Sequence, residues 1–171
     1  FLSSSFLSWE ISAFQEAALK VSQANDLDRD SLGVYATLIN GRLVQLIFKD
    51  VAGPIICNES RKIEKLKHPV TIAAGWLPGG HSSDYVAVTI AKKLKTKEFI
   101  NAGKPAYVYE KDPKKFPAAK KFEKLSWSAY RKLIPQKWVP GFSSPVDPVA
   151  ARLCQKEKIT AIVINGKNLK N

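Results

Sequence analysis

Apolar positions along this chain switch repeatedly between helical spacing and short continuous runs. Residues 10–24 put Ile11, Phe14, Ala18 and Val21 on one face, which predicts an amphipathic helix. The polar stretch 25–29 ends it, and Asp30 or Ser31 is placed to cap a second helix. That helix is apolar nearly all round, from Leu32 to Ile47, as expected of a central element or one at a subunit interface. Gly33 and Gly41 within it predict close approach by neighbours. Residues 53–57 and 70–74 read as short strands, the second central and buried, with a charged helical turn between them. Residues 75–81 hold three glycines and a proline and form a loop. Ser82 or Ser83 caps the next helix, over 83–95, and Val86, Ala87, Ile90, Ala91 and Leu94 recur at its spacing. A strand follows at 98–102, then a break at Lys104-Pro105, an apolar 107–109 and a charged turn at 111–115. Ser126 caps a short helix with Tyr130 and Leu133 as its buried face. Residues 135–145 are a proline-rich loop, Asp147 starts a helix through Cys154, and 159–164 form the last strand. Strands alternating with helices predict an α/β domain with a mainly parallel sheet.

The chain has 171 residues, 45% of them hydrophobic and 25% charged, which suits one globular domain with a real core. Its formal charge of +12 suits anionic partners such as nucleotides. The lysines of 92–124 are not interleaved with aromatics in the manner of a single-strand platform, so specific nucleic-acid binding is not expected. No apolar run approaches the ~20 residues of a membrane span, and no membrane partner is expected. Cys57 and Cys154 lie far apart and read as reduced core cysteines of a cytoplasmic protein. The amino-terminal residues lack the pattern of a signal peptide, and a chain opening on Phe1 suggests a fragment or processed form.

The stretch with most chemistry is 70–84: strand, glycine-rich loop, capped helix start. Such a layout aims backbone N–H groups and the positive end of a helix at whatever fills the loop, and anions such as phosphate suit it. An ordinary strand-to-helix connection also favours Gly and Ser. His81, Ser82 and Asp84 make a poor hydrolase triad, because adjacent residues at a helix start point different ways and His68 is the sole other histidine. Phosphoryl transfer needs amide donors and cations around phosphates, with carboxylates to hold magnesium or orient lysines. The 75–84 loop, Asp84, Asp112, Asp147 and many lysines supply those pieces, although no G-x-x-x-x-G-K-[ST] is present. No metal-ligand spacing is visible.

The segment A-G-W-L-P-G-G-H-S-S-D at 74–84 resembles the G-x-x-P-G-H-T-T-D loop of archaeal-type uridylate kinases, members of the amino-acid kinase superfamily. D-S-L-G-V-Y-A-T-L-I-N-G at 30–41 is similar to that family's D-x-x-G-x-x-A-T-x-x-N helix, and Y-E-K-D-P-K-K at 109–115 to its Y-x-x-D-P-K turn. K-L-S-W-S-A-Y at 124–130, V-D-P-V-A-A at 146–151 and V-I-N-G-K at 163–167 match later family segments in order. The resemblance runs from about residue 13 to the end, leaving 1–12 poorly matched. It implies a single three-layer α/β/α domain, truncated at its amino-terminal side with the first strand missing. It also implies the reaction ATP + UMP to ADP + UDP in pyrimidine nucleotide biosynthesis, Mg²⁺ with the ATP, and a homo-oligomer, usually a hexamer.

Carried over by position, the resemblance implies that Asp30 binds the UMP ribose. Leu77, Pro78, Gly79, Gly80, His81, Ser82 and Ser83 wrap the UMP, with both serines where threonines usually donate hydroxyls. Asp84 organises the catalytic cations, Tyr109 packs on adenine, Asp112 holds the ATP ribose or its surroundings, and Gly103 lies at the ATP site. The family's ATP-site T-x-V-D-G-V-Y reads G-K-P-A-Y-V-Y here, so Gly103, Ala106 and Tyr107 replace a threonine, an aspartate and a glycine. Ser3-Ser4-Ser5 stands near a family triple-glycine loop, and Trp9 where an arginine would bind phosphate. These departures imply an impaired kinase or, alternatively, a non-catalytic nucleotide-binding or regulatory protein of the same fold.

Overall fold

The computed structural model describes residues 2–4, 8–58, 63, 66–76, 82–103, 106–137 and 144–166. Its elements are β1 (Leu2–Ser4), α1 (Ser8–Val21), α2 (Asp26–Ile47), α3 (Ser83–Lys93), β2 (Glu98–Gly103), β3 (Val108–Tyr109), β4 (Lys121–Phe122), α4 (Trp127–Leu133), α5 (Pro148–Glu157) and β5 (Thr160–Asn165). Strands β1, β2 and β5 form a parallel sheet in the order β1-β2-β5, with Leu2 opposite Ile100 and Phe99 opposite Ala161. The short leading strand β1 was not anticipated from the sequence. The expected strand at 70–74 is not a member of this sheet. It meets the 52–56 stretch through two parallel bridges, Ala52 with Val70 and Ile56 with Ala73. Hydrogen bonds from Gly53 N–H to the Val70 carbonyl (3.0 Å) and from Ala74 N–H to the Ile56 carbonyl (2.9 Å) secure it.

Helix α2 starts a turn earlier than expected. Asn25 is its cap, accepting from the N–H groups of Leu27 (2.8 Å) and Asp28 (3.0 Å), while Asp28 accepts from the Asn25 N–H (3.0 Å). This reciprocal box satisfies orphan donors that Asp30 or Ser31 cannot reach. Asp30 instead lies inside the helix and is buried with Gly33, Val34, Ala36 and Gly41. Gly41 packs on Ile55 and Ile72, but an added Cβ would find ordinary contact there at 3.6 Å, so no close approach demands it. Of the expected apolar face of α1, Phe14 and Val21 are exposed and Ala18 is half-buried, while the side chain of Ile11 lies outside the described residues; Gln15 is buried instead, and its amide donates to the Arg29 carbonyl at 3.0 Å. A buried amide is tolerated because it is paired.

The main core lies between β2, α3, α4 and α5. Phe99, Val88, Ala91, Ala150, Ala151 and Cys154 are fully buried there, and Tyr130, Val146 and Ile159 join them. Burying a side chain such as Phe99 contributes roughly 1.5–3 kcal/mol. Small residues at 87, 91, 150 and 151 let α3 and α5 approach each other and the sheet. Of the expected buried face of α4, Tyr130 is in the core but Leu133 is exposed. Cys154 is buried as expected, whereas Cys57 is exposed.

The charged turn at 111–115 belongs to a small antiparallel ribbon, β3 with β4, that the sequence reading missed. Its lysines do meet aromatic rings: Lys121 sits 4.4 Å from the Tyr107 centroid, Lys120 5.5 Å from Phe122 and Lys111 5.6 Å from Phe116. These pairings use the ring faces within the protein itself.

Candidate functional site

Helices α3 and α5 each run back to the start of the strand that follows, β2 and β5. Their N-termini therefore lie beside the C-terminal ends of two neighbouring parallel strands. In open α/β sheets that edge is where ligands bind, and two helix N-termini make it favourable to negative charge.

The two helix starts are bound to each other. Ser82 caps α3, its hydroxyl oxygen accepting from Asp84 N–H (3.1 Å) and Tyr85 N–H (3.2 Å). Asp147 caps α5, its Oδ1 accepting from Val149 N–H (2.7 Å) and Ala150 N–H (3.1 Å). The Ser82 hydroxyl donates to Asp147 Oδ2. The Asp147 N–H in turn donates to Asp84 Oδ2 at 3.1 Å. Asn101, buried on β2, gives its side-chain amide to Asp84 Oδ1 (3.3 Å) and to the Pro145 carbonyl. Tyr130 braces the 144–147 segment: its hydroxyl donates to the Val146 carbonyl (2.6 Å) and accepts from the Val146 N–H (2.8 Å).

Burial pushes the Asp84 carboxyl from its ordinary value of 3.8 up to about 7, and the neighbouring Asp147 carboxylate adds to the rise. The hydrogen bonds from Asp147 N–H and Asn101 oppose it. Asp84 is thus poised to change charge near neutrality, a property that clusters at functional sites. Burial also raises the Tyr130 hydroxyl and pushes the Cys154 thiol up to about 12, so both stay protonated as neutral structural groups.

Of the residues singled out from the sequence, Ser82, Ser83 and Asp84 come together here. Leu77, Pro78, Gly79, Gly80 and His81 lie outside the described residues. The start of their loop is fixed, because Gly75 N–H donates to Thr37 Oγ1 at 2.7 Å. A Cβ at Gly75 would meet that oxygen at 2.9 Å and the Val34 Cα at 3.4 Å, so any side chain there would force Thr37 to shift and disturb this hydrogen bond. Asp30 shares the α2 stripe of Val34 and Thr37, the residues that touch Gly75. Gly103 stands two residues beyond Asn101 on the same face of β2. Tyr109 is half-buried on β3 beside Tyr107. Asp112 is exposed and serves its own turn, accepting from Lys114 N–H at 3.0 Å.

The sequence reading assigned no site role to Asn101 or Tyr130, and gave Asp147 only as a helix start and one of the carboxylates that phosphoryl transfer could use. Asn101 carried a signal: an amide inside the apolar run F-I-N-A must find buried partners. Tyr130 carried none that separates it from plain core.

Among the described residues no three His, Cys, Asp or Glu side chains converge on one point, so they form no cage for a metal. Mg²⁺ carried by a nucleotide needs only one or two carboxylates besides phosphates and water. Asp84 fits that need, since among the described residues each of its oxygens accepts a single hydrogen bond and keeps further acceptor capacity.

The profile of the Amino acid kinase family matches residues 9–165. A uridylate kinase of Thermococcus sibiricus is 30% identical over 155 residues, which make up 88% of this chain and 68% of that protein. One from Natronomonas pharaonis is 29% identical over 146 residues, 84% of this chain and 64% of that protein. The chain spans about two thirds of the length of these curated relatives. Among solved structures, uridylate kinase from Archaeoglobus fulgidus superposes with a TM-score of 0.71 at 26% identity, over 91% of this chain and 71% of that one. UMP kinase from Ureaplasma parvum shares the fold, with a TM-score of 0.65 at 19% identity over 90% of this chain and 68% of that one. No helix among the described residues is long and apolar enough to cross a membrane.

The raised Asp84 value predicts a pH dependence of stability. A carboxyl whose folded value exceeds its unfolded one binds a proton more readily in the folded state, so its contribution is full at low pH and is lost as pH rises to about 7. Unfolding of the ligand-free protein in urea, followed from pH 5 to 8, should show stability falling toward pH 7 and then levelling. The slope is at most about 1.4 kcal/mol per pH unit. Asp84→Asn should flatten that slope while lowering absolute stability, because an amide cannot accept at both positions. An unchanged slope in the variant would assign the dependence elsewhere.

Proposed function

This chain belongs to the amino acid kinase family, and on that premise we propose that it is a UMP kinase-type phosphotransferase, using ATP to convert UMP to UDP. The observation that carries this reading is the double helix-start lattice around Asp84, set directly after the glycine-rich loop. In this reading residues 77–83 hold UMP, and its phosphate lies at the positive end of α3. Asp30 binds the ribose from the α2 face that abuts the loop. Asp84, held at both oxygens, offers a fixed negative charge against which a cation is placed. A cation there favours the ionised carboxylate and offsets the rise that burial causes. Gly103, Tyr109 and Asp112 form the ATP side. Mg²⁺, bound with ATP, would neutralise charge developing on the transferred phosphoryl group.

A second reading keeps the nucleotide pocket without the chemistry. It is favoured by Gly103, Ala106 and Tyr107, which replace residues of the ATP side. Losing one well-placed donor costs ~10²–10³ in rate.

The reading also includes self-association. Tyr35, Ile39, Leu43 and Leu46 recur at helical spacing along α2 and are 52–70% exposed, an apolar stripe that a second copy would cover.

Calorimetric titration should show UMP binding in preference to AMP, and Asp30→Ala should weaken UMP binding by about 1–3 kcal/mol. No preference for UMP at millimolar ligand would sink the acceptor assignment. In a coupled assay with ATP, Mg²⁺ and UMP, the altered donor side predicts turnover well below ~1 s⁻¹, the low end of ordinary enzymes. Turnover at or above that value removes the non-catalytic reading. Sedimentation velocity should find an oligomer that Leu46→Glu dissociates, and a monomeric unmodified protein would contradict the self-association.

A further inference from the structure

Ser82 and Ser83 stand side by side at the start of α3, and the family resemblance gives them one shared role. Their surroundings differ. A hydroxyl has one hydrogen to donate and two lone pairs to accept with. The Ser82 hydrogen goes to Asp147 Oδ2. Its lone pairs receive the N–H groups of Asp84 and Tyr85. Nothing remains for a ligand. Ser83 is exposed, and its hydroxyl makes no hydrogen bond among the described residues.

Asp147 is the other half of the arrangement. It is 3% exposed, and each of its polar groups is used across or along the junction. Oδ1 caps its own helix, Oδ2 takes the Ser82 hydroxyl, and its N–H holds Asp84 Oδ2. The carboxylate therefore fixes the cap of α3 from outside that helix. The cap fixes the first turn, and that turn carries both Ser83 and Asp84.

We propose that Ser82 and Asp147 form a positioning pair, a latch between the starts of α3 and α5 that sets the first turn of α3, and with it Ser83 and Asp84, for the acceptor nucleotide. The proposal rests on the reading that residues 77–83 hold UMP. It makes Ser82 a positioning residue and extends that task to an aspartate outside the loop.

Asp147→Asn tests the latch. Asparagine keeps one oxygen to cap α5 but presents N–H groups to Ser82, whose lone pairs are already committed to α3. Amide hydrogen exchange should then show lost protection at Asp84 and Tyr85, although the side chain of residue 147 touches neither amide. Unchanged protection there overturns the latch. UMP affinity, titrated well below the melting midpoint so that all variants stay folded, tests the division of labour. Ser83→Ala should weaken binding about 10- to 100-fold, the usual loss for a hydrogen bond to a charged group. Ser82→Ala and Asp147→Asn should each weaken it several-fold, and the double variant should be no worse than either, since both remove one interaction. Ser82→Thr, which keeps the hydroxyl, should retain affinity. Additive losses from Ser82→Ala and Asp147→Asn would overturn the pairing, while full affinity in Ser83→Ala would overturn the functional reading it rests on. If the unmodified protein binds no UMP, the functional reading fails and the role of Ser83 with it, while the exchange experiment still decides the latch.

Discussion

The hydrogen bond from the Asp147 N–H to Asp84 Oδ2 joins two parts of the chain 63 residues apart, and the site depends on it. It can form only because α3 and α5 begin at the same edge of the sheet. That arrangement follows from β2 and β5 running parallel in register, each preceded by its helix. The small residues between the helices bring their axes close enough for side chains at one start to reach backbone at the other. A larger residue at Ala87 or Ala150 would act on the site without touching it, by parting the two helix starts. Core packing and site chemistry are therefore one constraint in this fold.

Much of this was legible from the residues. Ser82, Ser126 and Asp147 were recognisable as caps because a short polar side chain precedes an apolar helical repeat in each case, and all three do cap. Gly75 was singled out as the start of a glycine-rich stretch, and a Cβ there would crowd Thr37 Oγ1 at 2.9 Å. The misreadings have physical causes. Asp30 has the side chain of a cap and the position of one in the pattern, but Asn25 and Asp28 form a reciprocal box that starts the helix earlier. Phe14 and Val21 match a helical face by spacing, yet α1 turns Gln15 inward to reach the Arg29 carbonyl. The ribbon of β3 and β4 has strands of two residues, too short for alternation to register. The partners of Asp84 come from β2 and α5, and no local pattern announces a contact across that much sequence.

On the proposed reading, the electrostatics suit a charged ligand with its own cation. Two helix N-termini present positive ends, while two acidic side chains sit within hydrogen-bonding reach of one another's groups. Burial and mutual repulsion hold Asp84 near its point of charge change in the empty protein. A bound anion and its counter-cation would resolve that balance, the anion at the amides and the cation at the carboxylate. A neutral ligand would satisfy neither.

The central claim is that nucleotide acceptor and helix-start lattice meet at one place. Backbone chemical shifts of ¹⁵N-labelled protein, recorded as UMP is added, test it most directly. The account predicts that the largest changes fall at Ser82, Ser83, Asp84, Asn101 and Asp147 and saturate together. Changes confined to the β3–β4 ribbon, or no saturable change near Asp84, would contradict it.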